Sequence, residues 1–153
     1  MAVYDNAGIC SAAEDETIFL RGDKPGDPPE RISLQPLIVD GLLERYELRK
    51  DEEDLFVNLA AELDDGEAMT LAIAHRRGVI AAVDDRKARR IAAERLAGLV
   101  LLRTTDILHT WSHHKQPDSQ HLGEALRRIQ DVARYRPSNE DPLRDWWMRA
   151  AAS

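Results

Sequence analysis

Three acidic residues stand where the chain is expected to turn between secondary-structure elements. Asp84 and Asp85 directly follow the apolar run VIAAV (residues 79–83), and Glu67 opens the helix that precedes this run. If the run is a strand of a parallel sheet, the preceding helix is antiparallel to it, so Glu67 and the aspartates lie at one sheet edge. Carboxylate oxygens that converge there suit Mg²⁺ or Mn²⁺. The alternative is local: Glu67 caps its helix and the aspartates form a turn.

Basic side chains follow the aspartate pair and could bind the phosphates of a substrate. They are Arg86, Lys87, Arg89 and Arg90. Residues 76–103 contain eight bases and three acids, whereas residues 44–67 contain ten acids and three bases. Such a distribution suits a metal site flanked by phosphate contacts. Ordinary solvated helix faces would give the same pattern.

Other candidate residues carry weaker signals. His109 and His113 have the i, i+4 spacing of a zinc-binding pair, but the second position of an H-E-x-x-H motif is not Glu. Thr105 could act at a strand end or cap a helix. Tryptophan side chains could stack on bases, or be buried or contact a second copy. These tryptophans are Trp111, Trp146 and Trp147.

The elements that must position the acids alternate between helix and strand. Apolar spacing predicts helices over residues 51–63, 67–77, 86–96, 107–114 and 120–134, and a last helix after Asp141 and Pro142. Continuous apolar runs predict strands over residues 79–83 and 99–102, buried on both faces. Upstream, the pattern predicts a helix within residues 9–21, a loop over 22–30 and short strands within 31–39 and 42–48. This order predicts an α/β fold with a parallel sheet.

Length and composition restrict the class of protein. The chain has 153 residues, 43% of them hydrophobic and 32% charged, which is typical of one globular domain. We expect neither a signal peptide nor a membrane-spanning run. The single cysteine, Cys10, excludes an intrachain disulfide and favours a cytoplasmic location. The net charge of −7 disfavours nucleic-acid binding through the overall field.

Residues 63–90 combine a D-x-G-E-A helix start with a V-D-D-x-x-A-R strand end, and LVLLRTTDILHTW (residues 99–111) continues the pattern. This stretch resembles the PIN-like domain family, and SAAEDETIFLR (residues 11–21) resembles the helix that carries the family's second acid. The resemblance covers residues 9–111. It implies an α/β/α sandwich with a central parallel sheet and a divalent-metal ribonuclease site. By position, Glu16, Glu67 and Asp85 match the catalytic and metal-binding acids, with Asp84 alongside.

The resemblance also implies an opening strand that ends in a first acid. Asp5 lies only eleven residues ahead of Glu16, too close for the intervening helices, so we expect this strand and acid to be missing. The chain would then be a truncated or degenerate member.

We expect a PIN-like domain over residues 1–116 and a C-terminal helical extension over 117–153. Two hypotheses follow: an Mg²⁺- or Mn²⁺-dependent ribonuclease that acts on RNA, such as the toxin of a toxin–antitoxin pair, or an inactive nucleic-acid-binding or protein-interaction module. The helical extension could also make a homodimer.

Overall fold

The structure is a computed structural model that describes residues 6–16, 19–20, 28 and 30–153. The chain divides into two compact units. The sheet unit comprises the described residues of segments 2–17 and 33–103, and the helical unit those of segments 18–32 and 104–153. In chain order the elements are β1 (Gly8–Cys10), α1 (Ser11–Asp15), β2 (Phe19–Leu20), β3 (Glu30–Arg31), α2 (Gln35–Val39), β4 (Glu44–Tyr46), α3 (Glu53–Ala60), α4 (Asp65–Arg77), β5 (Ala81–Ala82), α5 (Arg86–Arg95), β6 (Leu101–Leu102), α6 (Thr104–Lys115), α7 (Ser119–Val132) and α8 (Arg144–Ala151).

The described strands form short pairs. In the sheet unit β1 is parallel to β4, with Gly8 opposite Glu44, and β5 is parallel to β6, with Ala81 opposite Leu101. In the helical unit β2 is antiparallel to β3. The predicted α/β class is therefore confirmed in its coarse form, as a mixed structure with parallel pairs. The α/β/α sandwich around one central sheet stays a prediction.

The predicted burial of residues 79–83 on both faces is wrong. Ala81 and Val83 are buried, but Val79 and Ile80 are 47% and 54% exposed, and Val100 beside them is 55% exposed. Among the described strands, β5 pairs with β6 alone, so its second edge has no neighbouring strand there. An apolar run thus predicts a strand correctly without predicting how many neighbours will cover it.

Two upstream predictions also need correction. The helix predicted within residues 9–21 ends at Asp15, because Glu16 adopts an extended backbone. Within residues 31–39 only Arg31 belongs to a strand, β3, and residues 35–39 form α2, in whose first turn Pro36 suits a helix start. The strand predicted within residues 42–48 is confirmed as β4.

Small residues let the helices of the sheet unit approach closely. Its core contains buried alanines from α4 and α5 beside larger apolar side chains. The larger residues include Leu59, Leu71 and Ile91, each at most 1% exposed. Helix α4 begins after Asp64 and ends at Gly78, which has a φ of 65°. That left-handed conformation is the predicted role of this glycine.

A buried ion pair joins the segment before α3 to the end of α4. Glu52 is 1% exposed, and its carboxylate accepts hydrogen bonds from Arg77 Nε at 2.6 Å and Nη2 at 2.9 Å. The Arg49 amide adds a third bond at 2.7 Å. The hydrogen bonds from Arg77 are the main cause that lowers the pKa of Glu52. The Arg77 guanidinium also lies 5.0 Å from the centroid of the Tyr46 ring.

In the helical unit, α7 and α8 enclose an apolar core. Trp147 and Leu126 are fully buried, together with Ala151. Asp141 accepts bonds from the Leu143 amide and from the buried Thr105 hydroxyl, both at 2.8 Å. The predicted last helix is present as α8, but it begins at Arg144 with Leu143 as its N-cap, so the predicted start at Asp141 and Pro142 is wrong by two residues. No helix in the described part of the chain is long and apolar enough to span a membrane.

Candidate functional site

The N-terminus of α4 forms the centre of the candidate site. Asp64 has an extended backbone, and its Oδ1 accepts a hydrogen bond from the Glu67 amide at 2.8 Å. Asp64, rather than Glu67, is therefore the residue that caps the helix. The alternative interpretation, in which Glu67 caps its own helix, therefore does not hold.

Glu16 lies against the same helix end. Its Oε1 accepts a hydrogen bond from the Gly66 amide at 2.7 Å, across 50 residues of sequence. Gly66 has no side chain, and a Cβ there would lie 2.5 Å from this oxygen. A carboxylate at a helix N-terminus interacts favourably with free amides and with the helix dipole.

The aspartate pair lies at the end of β5, as the sequence predicts. Asp85 is the N-cap of α5, and its Oδ1 accepts a hydrogen bond from the Ala88 amide at 2.8 Å. Asp84 is exposed directly before it. The local capping alternative therefore holds for one oxygen of Asp85.

The electrostatics of Glu67 link these acids. Its carboxyl is partly buried, and burial is the main cause that raises its pKa to about 7. The charges of Asp64, Asp85 and Glu16 raise this pKa further, while that of Lys87 lowers it. Three carboxylates are thus close enough to Glu67 to oppose its ionisation. Asp64 was not among the predicted site residues, although its position three residues before Glu67 is the spacing of a capping box.

The predicted phosphate-binding side chains lie on α5. Arg89 donates to the backbone oxygens of Val83 at 2.8 Å and Leu102 at 3.1 Å, so its guanidinium binds the carboxyl ends of both strands. Lys87 donates to the Glu62 backbone oxygen. Arg90 lies 3.9 Å from Glu94, and Arg86 is exposed in the first turn. Contact with substrate phosphates stays a prediction for all four.

The donor set fits a hard divalent cation in chemical type. Glu16, Asp64 and Asp85 each use one oxygen to accept a backbone amide. Their second oxygens and the Glu67 carboxylate are the ligand type that Mg²⁺ and Mn²⁺ prefer. The described residues contain no group of three or more acids, histidines or cysteines already arranged to hold a metal. Binding would therefore have to draw these carboxylates together.

The weaker candidates lie in the helical unit. The His109 and His113 rings are 4.2 Å apart, and His109 meets Trp146 edge-to-face at 4.8 Å. Burial is the main cause that lowers the pKa of His109. The Thr105 hydroxyl is buried against Asp141. Each of these side chains has a contact within its own unit that explains its position.

Comparison with known proteins identifies the family to which the chain belongs. Neither the curated proteins nor the solved structures contain a significant match. A family model described as a PIN domain matches residues 23–140, well over half of the chain. The matched stretch contains Glu67, Asp84, Asp85 and the bases of α5, and it begins after Glu16. PIN domains are in general nuclease-like, nucleic-acid-binding and dependent on divalent metals. The chain belongs to the PIN domain family.

Proposed function

We propose that this protein is a ribonuclease that hydrolyses RNA phosphodiester bonds with Mg²⁺ or Mn²⁺. The observation that carries this proposal is the grouping of Glu16, Asp64 and Glu67 at the N-terminus of α4, where burial and the neighbouring charges raise the pKa of Glu67 to about 7. A cation relieves such repulsion, so the acids are costly for the free protein and useful to a metal enzyme. We assign Glu16, Glu67 and Asp85 as metal-binding and catalytic acids, with Asp84 beside them.

We assign a different role to each side chain of this site. Glu67, Glu16 and Asp85 would hold the cation, and Asp84 would add negative charge at the same sheet edge. Mg²⁺ or Mn²⁺ bound there would supply an activated water and stabilise the leaving oxygen. One of these carboxylates would also accept a proton from that water.

The bases of α5 would attract the RNA backbone. Arg86 and Arg90 are exposed at the surface, and Lys87 lowers the pKa of Glu67 through its charge. These side chains follow directly on the aspartate pair. Phosphate contacts from them would place a scissile bond beside the acids. Arg89 would act at the strand ends, where it already binds two carbonyls.

The finer biological assignments rest on the family resemblance. We propose a toxin role in a toxin–antitoxin pair, with an antitoxin protein as partner and a cytoplasmic location. We also propose the domain division at residues 116 and 117, with the C-terminal extension as the surface of a homodimer.

A second candidate function is an inactive nucleic-acid-binding module. The absence of a ready-formed group of three ligands among the described residues favours it. RNA binding that persists in EDTA, without cleavage at any Mn²⁺ concentration, would support this alternative.

RNA cleavage tests the proposed function. We expect Mn²⁺-dependent cleavage by the wild-type chain and a loss of at least about a hundredfold in Glu67→Gln. Asp65→Asn is the matched control, because Asp65 is an exposed acid in the same helical turn. Equal cleavage by wild type and Glu67→Gln would refute the assignment.

A further inference from the structure

The contact between Gly66 and Glu16 is closer than any side chain at position 66 would allow. The Gly66 amide lies 2.7 Å from Glu16 Oε1. A Cβ at this position would lie 2.5 Å from Oε1, 2.6 Å from the carboxyl carbon and 2.6 Å from Oε2. The whole carboxylate therefore occupies the space that an alanine methyl group would need.

Backbone conformation does not explain this glycine. Gly66 is the second residue of α4 and is buried, and it is not among the residues with a positive φ. An L-amino acid could adopt its helical backbone, and a helix is in general less stable with glycine than with alanine. Glycine is thus the weaker choice for the helix and the necessary choice for the carboxylate.

Neighbouring contacts fix the segment that carries Glu16 against the same helix. The Cys10 thiol lies 3.6 Å from the Gly66 carbonyl oxygen and 3.3 Å from the Thr70 hydroxyl. The Ser11 hydroxyl oxygen lies 3.6 Å from Met69 Sδ. These contacts hold β1 and α1 against α4 without involving Glu16. Only the position of the Glu16 side chain therefore depends on the space at Gly66.

We propose that Gly66 is a positioning residue of the metal site: its amide and its missing side chain hold the Glu16 carboxylate beside Glu67. This inference rests on the proposed function, because it assigns Gly66 a purpose in metal binding. A methyl group at position 66 would displace the end of a flexible, exposed side chain, so the fold would survive while Glu16 moved away.

The test is a calorimetric Mn²⁺ titration of the full chain beside Gly66→Ala. We expect Gly66→Ala to bind Mn²⁺ at least about tenfold more weakly, because losing a contact that orients a metal ligand generally lowers metal affinity by this much. Its melting temperature should be unchanged or higher, because alanine favours the helix. A structural role for Gly66 would instead lower the melting temperature and leave the affinity of the folded protein unchanged.

Shortening the acid separates the two interpretations further. Glu16→Asp withdraws the carboxylate by one methylene and makes room for the methyl group. We therefore expect Gly66→Ala to weaken Mn²⁺ binding much less in the Glu16→Asp background than in the wild type. Additive losses would overturn the proposal.

A metal-free measurement checks the contact itself. Glu16→Gln should shift the amide resonance of Gly66 in the ¹H–¹⁵N spectrum, whereas Asp54→Asn, at an exposed acid of α3, should leave it nearly unchanged. If the wild type binds Mn²⁺ and Gly66→Ala binds it equally well, the positioning role alone is refuted. If the folded wild type binds no Mn²⁺, the proposed function fails, and the positioning role fails with it.

Discussion

Glu67 carries a carboxyl whose ionisation works against folding. Its pKa rises from 4.5 to about 7, first through burial and then through the charges of Asp64, Asp85 and Glu16. A group with a raised pKa in the folded state stabilises the protein below its unfolded pKa, and this stability is lost as the pH rises through the folded value. The cost is therefore absent near pH 4 and complete above pH 8.

We expect Glu67→Gln to stabilise the metal-free protein at pH 8 by about 1 kcal/mol, because glutamine cannot ionise and solvent screens part of the repulsion at this partly exposed carboxyl. Near pH 4 the variant and the wild type should unfold at nearly the same urea concentration, since Glu67 is then protonated. Urea denaturation at both pH values measures the difference. A Glu67→Gln variant that is destabilised equally at both would show that the carboxyl is not strained by its neighbours.

Residue identity alone reveals part of this site. The approach of Asp85 to Glu67 could be predicted from the sequence, because the order of helix and strand places both at one edge. Asp64 was missed, since its effect on Glu67 depends on proximity that a capping pattern does not convey. The approach of Glu16 to Gly66 joins positions 50 residues apart, and only the family resemblance pointed to Glu16.

At the scale of elements, the Glu52–Arg77 pair holds the segment before α3 to the end of α4. Both charges lie out of bulk water, with Glu52 accepting three hydrogen bonds. Removing one partner of such a pair leaves a buried charge uncompensated. Because the pKa of Glu52 is lowered, the stability that it contributes is present above pH 4.5 and is lost as the pH falls below that value.

We expect Arg77→Ala to lower the free energy of unfolding by about 3–5 kcal/mol at pH 7. Arg76→Ala is the matched control, because Arg76 is the exposed neighbour on the same helix, and it should cost less than about 0.5 kcal/mol. Chemical denaturation measures the free energy of unfolding of both variants. Equal effects of the two substitutions would mean that the buried pair contributes no net stability.

The packing of α7 and α8 depends on one large side chain. Trp147 is fully buried and meets the Tyr135 ring at 5.4 Å, and its indole Nε1 has no hydrogen-bond partner among the described residues. We expect Trp147→Ala to cost about 3–5 kcal/mol, and Trp147→Phe less than half of that, because phenylalanine keeps ring volume and removes the unpaired N–H. Denaturation followed by circular dichroism measures both. A phenylalanine variant as unstable as the alanine variant would contradict this interpretation.

The elements could be predicted where their signals are local. Gly78 at the end of α4 and the apolar faces of α4 and α5 depend on neighbouring residues in sequence. The exposure of Val79 and Ile80 could not be predicted in this way, because it depends on which strands pair with β5. Pro36 within residues 31–39 is compatible with a strand end and with a helix start, and in the structure it lies in the first turn of α2.

At the scale of the whole molecule, a net charge of −7 coexists with a basic helix beside the candidate site. We expect RNA affinity to depend on the bases of α5 rather than on the overall field. The double substitution Arg86→Ala/Arg90→Ala should weaken binding and reduce the slope of log affinity against log salt by about 1.4, or about 0.7 for each lost contact with a single strand.

Arg128→Ala/Arg149→Ala is a matched control, because it removes two exposed arginines from the helical unit. Fluorescence anisotropy with a labelled RNA at several salt concentrations gives both slopes. Equal changes in the two double variants would show that α5 has no special role in RNA binding.

The most direct test of the proposed site is a calorimetric Mn²⁺ titration of the 153-residue chain at pH 8, beside Glu67→Gln and Asp65→Asn. We expect the wild type and Asp65→Asn to bind Mn²⁺ with similar affinity and Glu67→Gln to lose binding, because Glu67 is ionised at this pH and lies among the other acids. A folded wild-type protein that takes up no Mn²⁺, or a Glu67→Gln variant that binds as tightly as the wild type, would contradict the convergence of these acids on a metal.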